Sequence, residues 1–391
     1  MKKPELLAPA GDYERMKWAF WYGADAVYIA GKKFGLRANA PNFTMAEIKR
    51  AVSYAHRRHK KVYVTVNVVL REGEISRVIN YVKKLAKAKV DAIIISDLAI
   101  LQMLRGQVQI PIFISTQTST MNSAAINFLD KLGVQRIILG REVSQENLKK
   151  IRQIVNLELE VFIHGAMCAG ISGRCVLSNY LTNRDANRGG CSQVCRWYFS
   201  LANQQQIIDH HFNFAVKDLI MLEHIKELMK IGVDSFKIEG RMRSIYYLAT
   251  VISIYRRVID GYYRDPNYRI SEQDYLNLAR VANRPAVAQF FNNDCQISYH
   301  YYSTSMTEAN QDFIGVVLAY KKNYALIEQR NYFQKGDVVE IFNANKSITW
   351  QIDEIYDEDM NEITVVRHPK QKVYLKMRQP VSQNDLIRKI I

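Results

Sequence analysis

Four of the five cysteines lie between residues 168 and 195, spaced Cys168-x6-Cys175-x15-Cys191-x3-Cys195, while Cys295 stands apart. Thiols gathered so closely can bind a metal ion, hold an iron–sulfur cluster or supply a nucleophile. Structural zinc sites use paired cysteines about two to four residues apart, and neither of the longer intervals fits that pattern. A radical S-adenosylmethionine motif would need a third cysteine where Tyr198 stands. A catalytic thiol needs one cysteine and a base; His164 is near in sequence, but three cysteines are then left without a role. A four-thiolate iron–sulfur cluster accounts for all four at once. Inert buried cysteines are the bland alternative, in a chain that uses cysteine sparingly elsewhere. Glycines at 165, 170, 173, 189 and 190 let the backbone wrap closely around a ligand.

Something must position that segment. Short runs rich in Val and Ile recur through the first part of the chain: ELLAP (5–9), AVYIA (26–30), VYVTVN (62–67), AIIIS (92–96), IFIST (112–116), RIILG (136–140), LEVFIH (159–164) and SFKIEG (235–240). Most are followed by a helical pattern. Strands that are apolar on both faces mark a parallel sheet, and eight such β/α units predict a (β/α)8 TIM-like barrel. A doubly wound open sheet is the competing architecture, but no GxGxxG follows any strand. Residues 165–215 break the rhythm as a cysteine-rich insertion after strand seven, and its second half reads as a hairpin. From residue 312 the helical period gives way to short strands such as IGVVLAY, YALIEQR, DVVEIF and KVYLKM. The expected division is a catalytic barrel over 1–311 and a small C-terminal β-barrel domain over 312–391.

In such a barrel the site forms at the C-terminal ends of the strands. Those ends carry Asn67, Ser96 with Asp97, Thr116 with Gln117, Arg141 with Glu142, His164, and Lys237, Glu239 and Arg241; Arg37 and Asn39 follow strand two. Several could simply cap helices or satisfy buried backbone groups. Together they form a polar set rich in Arg and Lys, suited to a ligand bearing carboxylates or phosphates. The chain's 391 residues carry a net charge of +16, a field that attracts phosphate backbones. Most of that charge falls on the barrel, and Arg378, Arg388 and Lys389 make the tail basic. The opening MKKPELLAPAGD has the lysines of a signal peptide without its apolar run, and no segment is apolar enough to span a bilayer. The reading is a cytoplasmic protein with no membrane span and with reduced thiols.

The segments LEVFIHGAMCAGISGRCVLSNYL, RGGCSQVCRWYF, KDLIMLEHI and FKIEGRMRSIYYLATVISIYRRVID closely resemble the collagenase-like peptidase family (peptidase family U, number thirty-two). The resemblance extends over nearly the whole chain and is strongest to the family's tRNA hydroxylation branch. It implies 5-hydroxylation of the wobble uridine of tRNA, with prephenate as co-substrate. It also implies an iron–sulfur cluster of the 4Fe–4S kind on Cys168, Cys175, Cys191 and Cys195. Sister branches imply ribosomal RNA as an alternative substrate, and the family name implies a peptidase. The residues speak against proteolysis, since the chain has neither HExxH nor GxSxG. On this reading Arg141, Lys237, Arg241 and Arg37 bind the carboxylates of prephenate. His164 and Glu239 join the catalytic group, and Asn39, Asn67 and Gln117 contact substrate.

Overall fold

Eight parallel strands form where the apolar runs lie: β1 (Glu5–Pro9), β2 (Ala26–Ala30), β3 (Lys61–Val66), β4 (Ala92–Ile95), β5 (Ile112–Ile114), β6 (Arg136–Ile138), β7 (Glu158–Gly165) and an eighth, Ser235–Ile238. Each pairs with its neighbour, and the eighth pairs with both β1 (Ser235 opposite Glu5) and β7 (Ser235 opposite Glu160), which closes the barrel. The sequence pattern follows from burial. β2 and β4 are buried at every position, because helices cover the outer face while side chains fill the inner one. This computed structural model describes residues 2–36, 40–203, 206–207, 211–282, 284–292, 299–300 and 312–390. Arg37, Asn39 and Cys295 lie outside the described residues. Among those described, no helix is long and apolar enough to cross a membrane.

The helices start on polar caps at the mouth of the barrel. Asp12 accepts from the Arg15 amide at the head of Tyr13–Trp21, and Thr44 with Glu47 forms a capping box on Met45–His56. Asp97 does the same for Leu98–Leu104, accepting from the amides of Ala99 and Ile100. One of the polar strand ends is therefore a cap.

After β7 the chain builds the insertion from single turns and one short helix, Leu177–Thr182. The expected hairpin is present, with Ala202–Asn203 pairing antiparallel to Gln206–Ile207 and Phe199 bridging Phe212. A strand that the sequence pattern does not reveal, Asp218–Ile220, then runs antiparallel to β7 and carries Ala286–Val287 on its other side. Three residues are too few to show a period.

The insertion is clamped to the barrel at two points. Glu142 accepts from the Ser172 amide (2.6 Å) and hydroxyl (2.9 Å), and Arg188 grips Glu74 with two bonds of 2.7 Å. The hydrogen bonds from Arg188 push the Glu74 carboxyl down to about 2. A depressed carboxylate stabilises the fold above its unfolded pKa, and that contribution disappears as pH falls from about 4.5 toward 2. Glu74→Gln should therefore loosen the insertion by about 1.5–3 kcal/mol. Limited proteolysis should then cut within 171–215 at neutral pH, as it should in the unaltered chain only in acid. Equal protease resistance of the two chains at neutral pH would show that the clamp contributes nothing.

Residues 312–390 form an eight-stranded antiparallel sheet around a core of its own, which includes Phe333, Val339, Ile355 and Leu375. Its central strand, Leu386–Lys389, lies between Phe313–Lys321 and Val338–Phe342. That position corrects the basic-tail expectation. Arg388 is 2% exposed and bonded through Nε to Glu340 at 2.7 Å, and Lys389 pairs with Asp337. Arg378 is exposed, as expected. The domain docks on the barrel's outer helices: Tyr246 stacks on Phe313, Arg280 pairs with Asp312, and the Tyr22 hydroxyl lies 3.1 Å from the carbonyl of Phe342.

Candidate functional site

A cavity of about 100 Å³ opens at the C-terminal ends of the strands. It gathers most of the residues that the strand ends offered. Arg141, Lys237, Glu239, Arg241, Asn67 and Gln117 all line it, and so does Cys168 from the insertion. The Arg141 guanidinium carbon lies over Phe162, 4.1 Å from the ring centroid, and the side chain donates to the carbonyl of Ala166 at 3.0 Å. Arg241 is 4% exposed, with Nη1 3.5 Å from the Thr65 hydroxyl. The Tyr28 hydroxyl lies 2.7 Å from Glu239, which fixes that carboxylate at the rim. The Asn67 side-chain amide donates to Ser115 at 3.4 Å, while its Oδ1 is buried with no hydrogen-bond partner. A buried acceptor left open is costly and is ready for a donor from a ligand. Three cations and one carboxylate line the space, so it favours an anion.

Behind Lys237 lies a network absent from the sequence-based set. Lys237 Nζ is 3.0 Å from Glu160, which is completely buried. Glu160 is also 3.0 Å from Arg136, and Arg136 reaches Glu5 at 2.6 Å. The Tyr63 hydroxyl donates to Glu5 at 2.7 Å. Burial opposes ionisation of Glu160, and Lys237 and Arg136 together overcome it, so its carboxyl is held below the usual range. The signal in the sequence was a glutamate inside the apolar run LELEVFI, at a position whose side chain must enter the barrel.

His164 is not in this cavity. On a regular strand it would share a face with Phe162, which lines the cavity. A register shift between β7 and the eighth strand, where Lys237 lies opposite Phe162 but Ile238 lies opposite His164, turns it outward. The imidazole lies among the long-helix residues Tyr247 and Tyr255, with Nδ1 3.2 Å from the Tyr255 hydroxyl. That hydroxyl donates to the Ile163 carbonyl at 2.9 Å, an arrangement in which it accepts from a protonated Nδ1 of His164. Burial, helped by Arg243, pushes the ring down to about 3. A ring held neutral in this way does not change its charge near neutral pH. Activity should therefore show no inflection attributable to His164 between about pH 5 and 8. The sign for stability follows from the same shift: the unfolded chain takes up a proton near 6.5 that the folded chain refuses, so stability falls as pH drops from 6.5 toward 3. His164→Phe should flatten that slope, and an unchanged slope would contradict the assignment.

A neighbouring space of about 420 Å³ is lined by His164, Asp218, Tyr247 and Arg284. Asp218 pairs there with Arg284 and, at 3.1 Å, with Arg243. Burial pushes the Asp218 carboxyl up, against the pull of these arginines and of Arg196 and Arg141.

The four clustered cysteines are all free thiols; Cys168 and Cys191 are exposed and the other two partly buried. The Leu177 amide points at the Cys175 sulfur and the Gln193 amide at the Cys191 sulfur, each at 3.4 Å. Burial raises the Cys195 thiol, and the nearness of Cys168, Cys191 and Cys175 raises it further. The loop is tight. A Cβ on Gly170 would stand 2.3 Å from the Arg174 carbonyl oxygen, and Ser172 and Gln193 take the left-handed backbone conformation that favours glycine. Among the described residues, no three His, Cys, Asp or Glu side chains are grouped closely enough for a single metal ion.

Comparison with known proteins agrees with this architecture. Residues 11–300 match the model of peptidase family U32, and residues 309–388 match the family's C-terminal domain. The chain is 41% identical to tRNA hydroxylation protein P1 of Bacillus subtilis (strain 168), covering 99% of this chain and 95% of that one. It is 36% identical to a 23S rRNA 5-hydroxycytidine synthase of Escherichia coli (strain K12), over 66% of this chain and 39% of that one. It is 31% identical to a collagenase of Porphyromonas gingivalis (strain W83), over 66% of each chain. With both domain models matched in order over a closed barrel and an antiparallel β-domain, the chain belongs to peptidase family U32.

Proposed function

We propose that the protein hydroxylates RNA, specifically carbon 5 of the wobble uridine of tRNA, with prephenate as co-substrate and a 4Fe–4S cluster on Cys168, Cys175, Cys191 and Cys195. Relatives named for tRNA hydroxylation and for hydroxycytidine synthesis support RNA hydroxylation as the activity. The observation that carries the finer reading is that Cys168 lines the same cavity as Arg141, Lys237 and Arg241. A cysteine of the candidate cluster and a set of cationic side chains thus share one chamber.

The cysteine loop offers the donor set of a cluster, since the Cys195 sulfur lies near those of Cys168, Cys191 and Cys175. Thiolates on one zinc stand about 4 Å apart, given Zn–S bonds of about 2.3 Å. Cluster ligands bind different iron atoms and stand further apart. The amides aimed at Cys175 and Cys191 suit sulfurs that carry negative charge. No protein side chain can insert oxygen into a pyrimidine ring, and the cluster would supply the redox chemistry. The chain's own residues then have defined work. Arg141 and Arg241 would take the two carboxylates of prephenate, and Lys237, held 3.0 Å from Glu160, would close the floor of the chamber. The open Asn67 oxygen would accept a hydrogen bond from a ligand hydroxyl.

Proteolysis is the second reading, favoured by the collagenase relative. A cysteine nucleophile needs a base, and His164 lies on the far side of β7 as a neutral ring bonded to Tyr255. Mass spectrometry of tRNA from a strain lacking the gene separates the readings. Loss of 5-hydroxyuridine and its derivatives is expected. Unaltered tRNA, together with gelatin cleavage by the purified protein, would favour the peptidase.

A further inference from the structure

Exposed apolar residues are concentrated where the insertion faces solvent. Ile171, Val176, Tyr180, Leu181, Trp197 and Tyr198 are all exposed, and Tyr180 retains 85% of its accessible surface. Of the chain's four tryptophans, Trp197 alone is exposed. Such a surface is expensive to leave in water unless something covers it.

The surface is rigid and positively charged. The helix bearing Tyr180 is tied to the turn preceding Trp197, since the Ser178 hydroxyl accepts from the Ser192 amide at 3.0 Å and Thr182 meets Ser192 at 3.1 Å. The clamps at Glu74 and Glu142 hold the whole unit over the barrel. Between residues 171 and 199 there are four arginines and a single acidic residue, Asp185. Arg174 and Arg184 are exposed and form no ion pair among the described residues. Flat aromatic faces interleaved with unpaired arginines suit unpaired nucleotides, whose bases stack while their phosphates meet guanidinium groups. A duplex hides its base faces and would gain only the electrostatic part. Protein interfaces also favour Trp, Tyr and Arg, but a chain with a net charge of +16 attracts a polyanion more strongly than a protein face. The platform adjoins the chamber, because Ser172, Gly173 and Cys168 line both the insertion and the cavity mouth. An enzyme acting on a ring carbon must take the base out of its stack, and a stacking surface beside the mouth holds the neighbouring bases while one enters.

From this we infer that the outer face of the insertion, centred on Tyr180 and Trp197 with Arg174 and Arg184 beside them, is a docking platform for the unpaired nucleotides of an RNA loop. The inference rests on the RNA-hydroxylase reading and names the form of RNA that the site takes. The experiment is equilibrium binding of the full-length protein to a fluorescent hairpin RNA with an unpaired loop and to a blunt duplex of equal length. The unaltered chain should prefer the hairpin. Tyr180→Ala and Trp197→Ala should each weaken hairpin binding by about 5- to 150-fold. Duplex affinity should be unmoved in both variants. Trp197→Phe, which keeps a stacking face, should stay within about threefold of the unaltered chain. RNA should quench tryptophan fluorescence in the unaltered chain and much less in Trp197→Phe. Arg174→Gln should lower the salt slope of binding by about one. Circular dichroism and melting temperature identify any variant that has failed to fold, and the phenylalanine variant then carries the test. Folded alanine variants with unchanged hairpin affinity, or equal affinity of the unaltered chain for hairpin and duplex, overturn the platform while leaving the RNA reading intact. Absence of binding to either RNA overturns both. Dissociation of a dimer on Trp197→Ala, with RNA binding unchanged, assigns the patch to self-association and overturns the inference.

Discussion

Replacing any one of Cys168, Cys175, Cys191 or Cys195 with alanine is expected to abolish iron binding and RNA hydroxylation together. Cluster ligands act as a unit, because losing one opens the site to water and oxidation. Removing groups that merely orient a metal ligand already costs about 10- to 100-fold, so loss of a ligand itself should exceed about 100-fold in activity. Purified without oxygen, the unaltered protein should be brown and contain about four iron atoms per chain. Cys295→Ala should keep both iron and activity. Iron content and 5-hydroxyuridine level, measured side by side in the five variants, decide the matter. If one clustered variant alone is inactive and the other three keep full iron, a nucleophilic thiol is the better account. Stoichiometric zinc without iron would also sink the cluster reading.

The second large effect is expected at Glu160. Its carboxylate is fully buried between Lys237 and Arg136, each at 3.0 Å. Glu160→Ala removes the shared counter-charge and leaves Lys237 without its buried partner. Breaking a buried pair in this way costs about 3–5 kcal/mol, which corresponds to a fall in Tm on the order of 10 °C for a domain of this class. Replacing Glu160 and Lys237 together with Met should restore most of that stability, because Arg136 keeps Glu5 and Glu158 as partners and apolar residues of similar volume can substitute for a buried ion pair. Activity should not return with it, since the chamber would have lost a cation from its floor. Thermal melting and turnover of the single and double variants test both halves. A single variant within about 1 kcal/mol of the unaltered chain would remove the structural role of the pair, and an active double variant would remove its role in the chamber.

These two sites differ in how far the sequence exposed them. The cysteines were legible because their types, number and spacing are local facts, and chemistry limits what four close thiols in a glycine-rich loop can do. The barrel was legible for a related reason. A parallel strand covered on both faces must be apolar at every position, so AVYIA and AIIIS declare themselves without knowledge of their neighbours. The strand ends also pointed to a single region, since barrel topology alone places Asn67, Gln117, Arg141, Lys237, Glu239 and Arg241 at one mouth, where all six line one cavity.

Other features depended on contacts that no local window contains. One register shift opposite Lys237 turned His164 from the chamber to the helical side of β7, a decision made by the pairing of two strands more than 70 residues apart. Glu160 looks like a misplaced charge in LELEVFI until Arg136 and Lys237 arrive from other strands to hold it. Arg388 looks like part of a basic tail until its strand becomes the centre of a sheet and Glu340 pairs with it. The strands Asp218–Ile220 and Leu386–Lys389 are three and four residues long, so their partners rather than any period define them. The sequence determined the cysteine set, the eight strands and the region of the candidate site, because side-chain chemistry and burial pattern act over a few residues. The tertiary structure alone decided which face a side chain takes and which charges meet, because strand register and long-range ion pairing are set by contacts distant in the chain.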